Sequence, residues 1–151
     1  MPNERPLRVR WQLPCARADV AKKSGDDDYG MYQIYGHHVV FGPGALLYIG
    51  IAVDRPFAAR FSEHASWLDS ESDVLVRLGR IEREEYKDDA EWENLLRDLE
   101  ALTIYWHSPP YNSKNIVSYN RNPLRVQNWG DRGRLLPEYS SHWQPARPTD
   151  P

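Results

Sequence analysis

The sequence predicts a small α/β (α+β) domain. The segment order strand, strand, helix, strand, helix can be read between Tyr29 and Trp106. A chain of 151 residues fits one domain and buries about two-thirds of the surface that its unfolded form exposes. The longest apolar stretch, Ala45 to Val53, has about half of the ~20 residues needed to cross a bilayer, so it reads as a buried strand.

Residues 1–28 mix Pro, Arg and polar side chains and end in Asp26-Asp27-Asp28, which predicts an extended, partly mobile N-terminal arm. Aromatic and β-branched residues dominate from Tyr29 to Tyr35 and again from Leu46 to Val53. Gly42-Pro43-Gly44 supplies turn chemistry between them, so the two segments read as a β-hairpin with a long loop carrying His37 and His38. Asp54 suits an N-cap and Pro56 a first helical turn, predicting a helix to about Leu68 with Phe57, Phe61, His64 and Leu68 on one face. Val74 to Ile81 alternates as a third strand. The charged stretch Glu82 to Asp89 leads to a second helix, with an apolar stripe of Trp92, Leu95, Leu96, Leu99, Leu102, Thr103 and Trp106 ended by Pro109-Pro110. Glu100 falls at the boundary of that stripe, between core and solvent. Residues 121–151 read as a C-terminal extension, with a short apolar alternation near Leu124 to Val126, a turn at Gly130 to Gly133 and a disordered tail from Pro145.

Two stretches, Gly30-Met31-Tyr32-Gln33-Ile34 and Leu47-Tyr48-Ile49-Gly50, carry a stronger signal. Arg60 follows, then His64 one helical turn later, then Glu100, then Pro109-Pro110-Tyr111-Asn112. This ordered set resembles the active site of the GIY-YIG nuclease superfamily; the likeness covers roughly residues 29 to 115, within a domain read as 29–120. It departs from the family in Met31, which replaces an isoleucine. It departs also in Ile51-Ala52, which stand where many relatives place a lysine and a small polar residue, and in a slightly longer stretch from Gly50 to Arg60. The resemblance implies a central, mostly antiparallel three-stranded sheet flanked by helices.

It also implies a metal-dependent endonuclease that hydrolyses DNA phosphodiester bonds by a one-metal, tyrosine-assisted water attack. Glu100 would be the ligand of Mg²⁺, for which Mn²⁺ can substitute, since Mg²⁺ takes one or two carboxylates and keeps most of its waters. Arg60 would clamp phosphate through bidentate contacts. Tyr32 is the candidate general base, with His64 accepting its proton, and the sequence leaves open which of Tyr32 and Tyr48 is the base. Tyr48 would bond to a phosphate or to the attacking water, and Asn112 would fix the backbone or a phosphate. His64 equally suits a satisfied core histidine, because it lies within the Phe57/Phe61/Leu68 stripe. Lys114, Arg121 and Arg125 are candidate substrate contacts. With Arg132 and Arg134 they make the C-terminal region basic, and Trp129 and Trp143 could stack on bases.

The net charge of −3 argues against a protein that coats nucleic acid. It conceals a split: residues 61–100 hold 13 acidic and 5 basic side chains, whereas both flanks are positive. The acidic run Glu82 to Glu93 reads as a solvated face. The lone Cys15 and an N-terminus without a secretory core predict a reducing cytoplasm, with no membrane association. DNA is the expected partner, with RNA left open. No target-choosing domain is visible, which leaves four expectations open: cutting with little sequence preference, a partner protein for target choice, a homodimer whose two sites cut two strands, or reading through the N-terminal arm and hairpin loop. The alternative is a catalytically inactive nucleic-acid-binding or adaptor module on the same fold.

Overall fold

The computed structural model of the chain describes residues 6–71, 73–82 and 88–142. Its strands are β1 (Leu7–Trp11), β2 (Cys15–Ala16), β3 (Gly30–His38), β4 (Gly42–Ala52), β5 (Leu75–Ile81), β6 (Arg125–Gly130) and β7 (Glu138–Ser140). All seven join one mixed sheet in the order β4-β3-β5-β1-β6-β7, with β2 also pairing β5, and the sheet curls into a half-barrel. Three short helices, α1 (Arg17–Val20), α2 (Phe57–Ser62) and α3 (Ala65–Leu68), and one long helix, α4 (Asp89–His107), pack on it. The expectation of a small three-stranded sheet flanked by helices is therefore corrected: the sheet has seven strands, and β structure dominates.

The enlargement comes from both ends of the chain. Leu7, Val9 and Trp11 are buried while Arg8 and Arg10 between them are exposed, the alternation of a strand with one covered face. This strand runs antiparallel to β5 and parallel to β6, so it lies inside the sheet where an extended arm was expected. The Gln12 N–H still reaches the Leu78 carbonyl at 3.0 Å. Pro14, which has no N–H, separates β1 from β2 along the same edge of β5. The expected C-terminal extension supplies β6 and β7. Buried Asn128 binds the two ends together: it accepts from the Trp11 indole at 3.0 Å and donates to the Leu136 carbonyl at 3.0 Å and to Tyr139 at 3.1 Å.

The expected hairpin strands are present but longer. His38 pairs with Gly42, so the loop shrinks to residues 39–41, and the His38 Nδ1 accepts the Val40 and Phe41 N–H groups at its tip. The expected helix from Asp54 to Leu68 is split. Pro56 rather than Asp54 is the N-cap of α2, and His64, at φ −91° and ψ 0°, separates α2 from α3. Helix α4 starts where Asp88 accepts the Glu91 N–H at 2.8 Å and stops at Ser108, at φ 43°, ahead of the two prolines. Arg83 to Lys87, within the acidic run, lie outside the described residues, as do Trp143 and the tail.

The sheet has two covered faces. Met31, Ile49 and Ile51 pack with Leu96, Leu99 and Leu102 of α4 on one. Tyr32, Ile34 and Ala52 pack with Val20, Phe57, Phe61 and Leu68 on the other. Period-2 alternation along β3 and β4 therefore sends Tyr32 and Tyr48 to the α2/α3 side, whereas Glu100 approaches from the α4 side.

Candidate functional site

Strand β4 lies at the edge of the sheet, so its alternate N–H and C=O groups face away from β3 and need partners. The Tyr111 N–H takes the Leu47 carbonyl at 2.9 Å. Asn112 takes both groups of Ile49: its Oδ1 accepts the N–H at 3.0 Å and its Nδ2 donates to the carbonyl at 2.9 Å. At Ile51, Arg60 Nε reaches the carbonyl at 3.4 Å, and the N–H is aimed at the Glu100 carboxylate. The free edge of one strand thus draws together α2, α4 and the segment after α4. It also brings Arg60 from one face of the sheet and Glu100 from the other to the same residue.

Of the two roles left open for Asn112, the structure occupies the backbone one, since both ends of its amide are spent on Ile49. Asn112→Ala leaves two backbone groups without partners. We expect it to lower unfolding stability by about 2 kcal/mol in a urea titration, whereas Asn112→Gln retains the chemistry but not the reach.

Tyr32 is fully buried, and its hydroxyl lies 2.7 Å from His64 Nε2. On the other side of the imidazole, Trp67 Nε1 donates to Nδ1 at 3.2 Å. Burial pushes the Tyr32 phenol well above its ordinary value, with Tyr48 adding to the rise and Arg60 opposing it. Tyr48, partly exposed, is also raised by burial, while the Arg60 charge holds it back and the Glu100 charge adds to the rise. Both phenols are protonated at neutral pH, which bears against Tyr32 as a free-standing base. Burial and the Arg60 charge push His64 down to about 4, so the ring is neutral.

Glu100 is raised by burial, and Arg60, Arg97, the Ile51 N–H and Arg121 counteract the shift. Between Glu100 and Arg60 opens a cleft of about 260 Å³, lined also by Asp54, Arg55 and Arg97. Arg60 itself is held by Glu63, which also pairs with Arg55.

The structure thus brings Tyr32, Tyr48, Arg60, His64 and Glu100 together, with Asn112 behind them. Of the three basic candidates, Arg121 is near enough for its charge to act on Glu100. Arg121 is bound to buried Asp98 at 2.5 Å and Arg125 is paired with Glu138, while Lys114 is exposed in the loop after Asn112. Sequence reasoning missed Glu63, Trp67 and Arg97. Glu63 carried an i,i+3 signal to Arg60; Trp67 carried none, because its reach to His64 depends on the break between α2 and α3. Comparison of the chain with protein-family models, curated proteins and solved structures gives no match. Among the described residues no helix is long and apolar enough to cross a membrane.

Proposed function

We propose that the chain is a GIY-YIG-type, metal-dependent endonuclease acting on DNA. The single observation supporting this reading is the convergence at Ile51 of Arg60 and Glu100, from opposite faces of the sheet, beside the hydrogen-bonded pair Tyr32 and His64. Hydrolysing a phosphodiester requires positive charge at the phosphoryl oxygens, an activated water and stabilisation of the leaving oxygen. Arg60, lining the cleft, supplies a fixed cation with more donors than its contacts to Ile51 and Glu63 consume.

The donor chemistry of the cleft fits Mg²⁺. Among the described residues no group of three or more His, Cys, Asp or Glu side chains could enclose a metal, which disfavours a closed structural site of the zinc type. One partly buried carboxylate suits a hard cation that keeps its waters and is completed by substrate phosphate, and Mn²⁺ accepts the same oxygen donors. When bound, such an ion neutralises charge at the scissile phosphate and the leaving oxygen. Glu100 would hold it, the Ile51 N–H and Arg97 would fix the carboxylate, and Tyr48 would place its hydroxyl beside Arg60.

The test is cleavage of supercoiled plasmid with Mg²⁺, Mn²⁺ or EDTA, running Glu100→Ala and Arg60→Ala beside the unaltered chain. The expected result is metal-dependent nicking or linearisation that is lost in both variants. A parallel incubation with single-stranded RNA tests the other substrate class. Intact substrate in every lane, together with binding in a mobility-shift assay, would replace the nuclease by the inactive nucleic-acid-binding module.

A further inference from the structure

The hydrogen bonds around His64 have a direction. An indole N–H can only donate, so the Trp67 contact at 3.2 Å makes His64 Nδ1 an acceptor. A neutral imidazole carries one proton, and with Nδ1 occupied as an acceptor that proton is on Nε2. The bond of 2.7 Å to Tyr32 is then Nε2–H donating to the phenol oxygen. The Tyr32 oxygen is thus the acceptor of this bond, and the Tyr32 proton is not shared with His64.

We propose that Trp67 is a positioning residue that holds His64 in its Nε2–H tautomer, so that His64 donates to the Tyr32 oxygen and does not take the Tyr32 proton. This reverses the roles read from the sequence, in which His64 accepts a proton from Tyr32. The groups facing the imidazole agree: Tyr32 from β3, Tyr48 from β4, Phe61 with the Arg60 and Glu63 charges from α2, and Trp67 from α3. Glu63 alone among them favours an imidazolium, and it is engaged by Arg55 and Arg60.

The chemical consequence rests on the nuclease reading. Water forms the new P–O bond as the bond to the leaving oxygen breaks; the proton that the water loses goes to solvent and not to His64, whose Nδ1 lone pair is committed to Trp67, and the leaving oxygen takes a proton from solvent. His64 Nε2–H fixes the Tyr32 hydroxyl, so His64 and Trp67 act by positioning.

The tautomer is measurable without any substrate. Long-range ¹H–¹⁵N correlation spectra of the ¹⁵N-labelled chain, with the His64 signals assigned by comparison with His64→Gln, should show His64 neutral and protonated on Nε2 at pH 7. Trp67→Phe should shift the population toward Nδ1–H. A resting Nδ1–H tautomer, or one unmoved by Trp67→Phe, would overturn the proposal. If that variant does not fold, the spectrum of the unaltered chain still decides the matter.

Activity supplies an independent arm. Glutamine retains a donor near the Nε2 position but cannot accept a proton as imidazole does. His64→Gln should therefore cleave at least ten-fold faster than His64→Leu at unchanged KM, whereas equal loss in both variants would restore His64 as the proton acceptor. If the unaltered chain cuts nothing, the nuclease reading fails while the tautomer stands or falls on its spectrum.

Discussion

Glu100→Gln is expected to yield a protein that folds, unfolds at a higher temperature than the unaltered chain at neutral pH, and does not cleave. The two effects share one cause. Burial raises the pKa of Glu100 against the pull of Arg60, Arg97, the Ile51 N–H and Arg121, so the charged form is uncomfortable where it stands. An acid whose folded pKa exceeds its unfolded one binds protons more tightly when folded. Its contribution to stability is complete below the unfolded value, near 4.5, and is lost as pH rises through the folded value. Thermal melts of the unaltered chain should thus weaken relative to Glu100→Gln from about pH 4.5 upward, with the two curves closest in acid. The same carboxylate is the ligand proposed for the metal. Lewis-acid stabilisation of several kcal/mol, at 1.4 kcal/mol per tenfold in rate, corresponds to about a 10³-fold loss of cleavage. A variant that lost activity because it unfolded would melt lower, and one that kept activity would remove Glu100 from the site.

The parts of this molecule that the sequence displayed are the locally encoded ones. The hairpin of β3 and β4, the strand β5 and the helix α4 are announced by their own periodicity and, for α4, by the Pro109-Pro110 stop. The candidate constellation followed from ordered positions within those same elements. What stayed hidden is non-local. Leu7, Val9 and Trp11 alternate correctly, but their neighbours Pro6, Arg8 and Arg10 resemble an arm; only pairing with Gly79 to Ile81 on one side and Val126 to Gly130 on the other makes them an inner strand. The strand β7 has three residues, too few for a pattern. Asn112 was legible as a site residue, but its duty toward Ile49 arises because β4 is an edge, which depends on the order of the whole sheet. The direction of the His64 hydrogen bonds was out of reach, since it follows from an indole placed by a helix break rather than from any spacing.

Gly50→Ala is expected to be the most damaging single-methyl change in the site. Tyr32 and Gly50 are directly opposite each other across β3 and β4, and a Cβ at residue 50 would fall inside van der Waals contact with Tyr32 Oη and Cζ, and 2.8 Å from its Cε2. The ring cannot retreat: Phe61 lies 4.8 Å away between centroids, Tyr48 6.1 Å and Phe57 6.4 Å. Overpacking a site of this kind costs about 3 kcal/mol, which for a chain of this length lowers Tm by roughly 10 °C. If the clash with the ring is the cause, the same change in a Tyr32→Leu background should cost less than about 1 kcal/mol, a coupling energy well above the error of a double-mutant cycle in urea. Additive effects would mean instead that Gly50 is needed for its backbone alone. A large coupling would explain why a glycine closes the second stretch opposite the tyrosine of the first: the two sequence signals are one packing unit, in which the missing side chain of Gly50 is the space that holds the Tyr32 hydroxyl against His64.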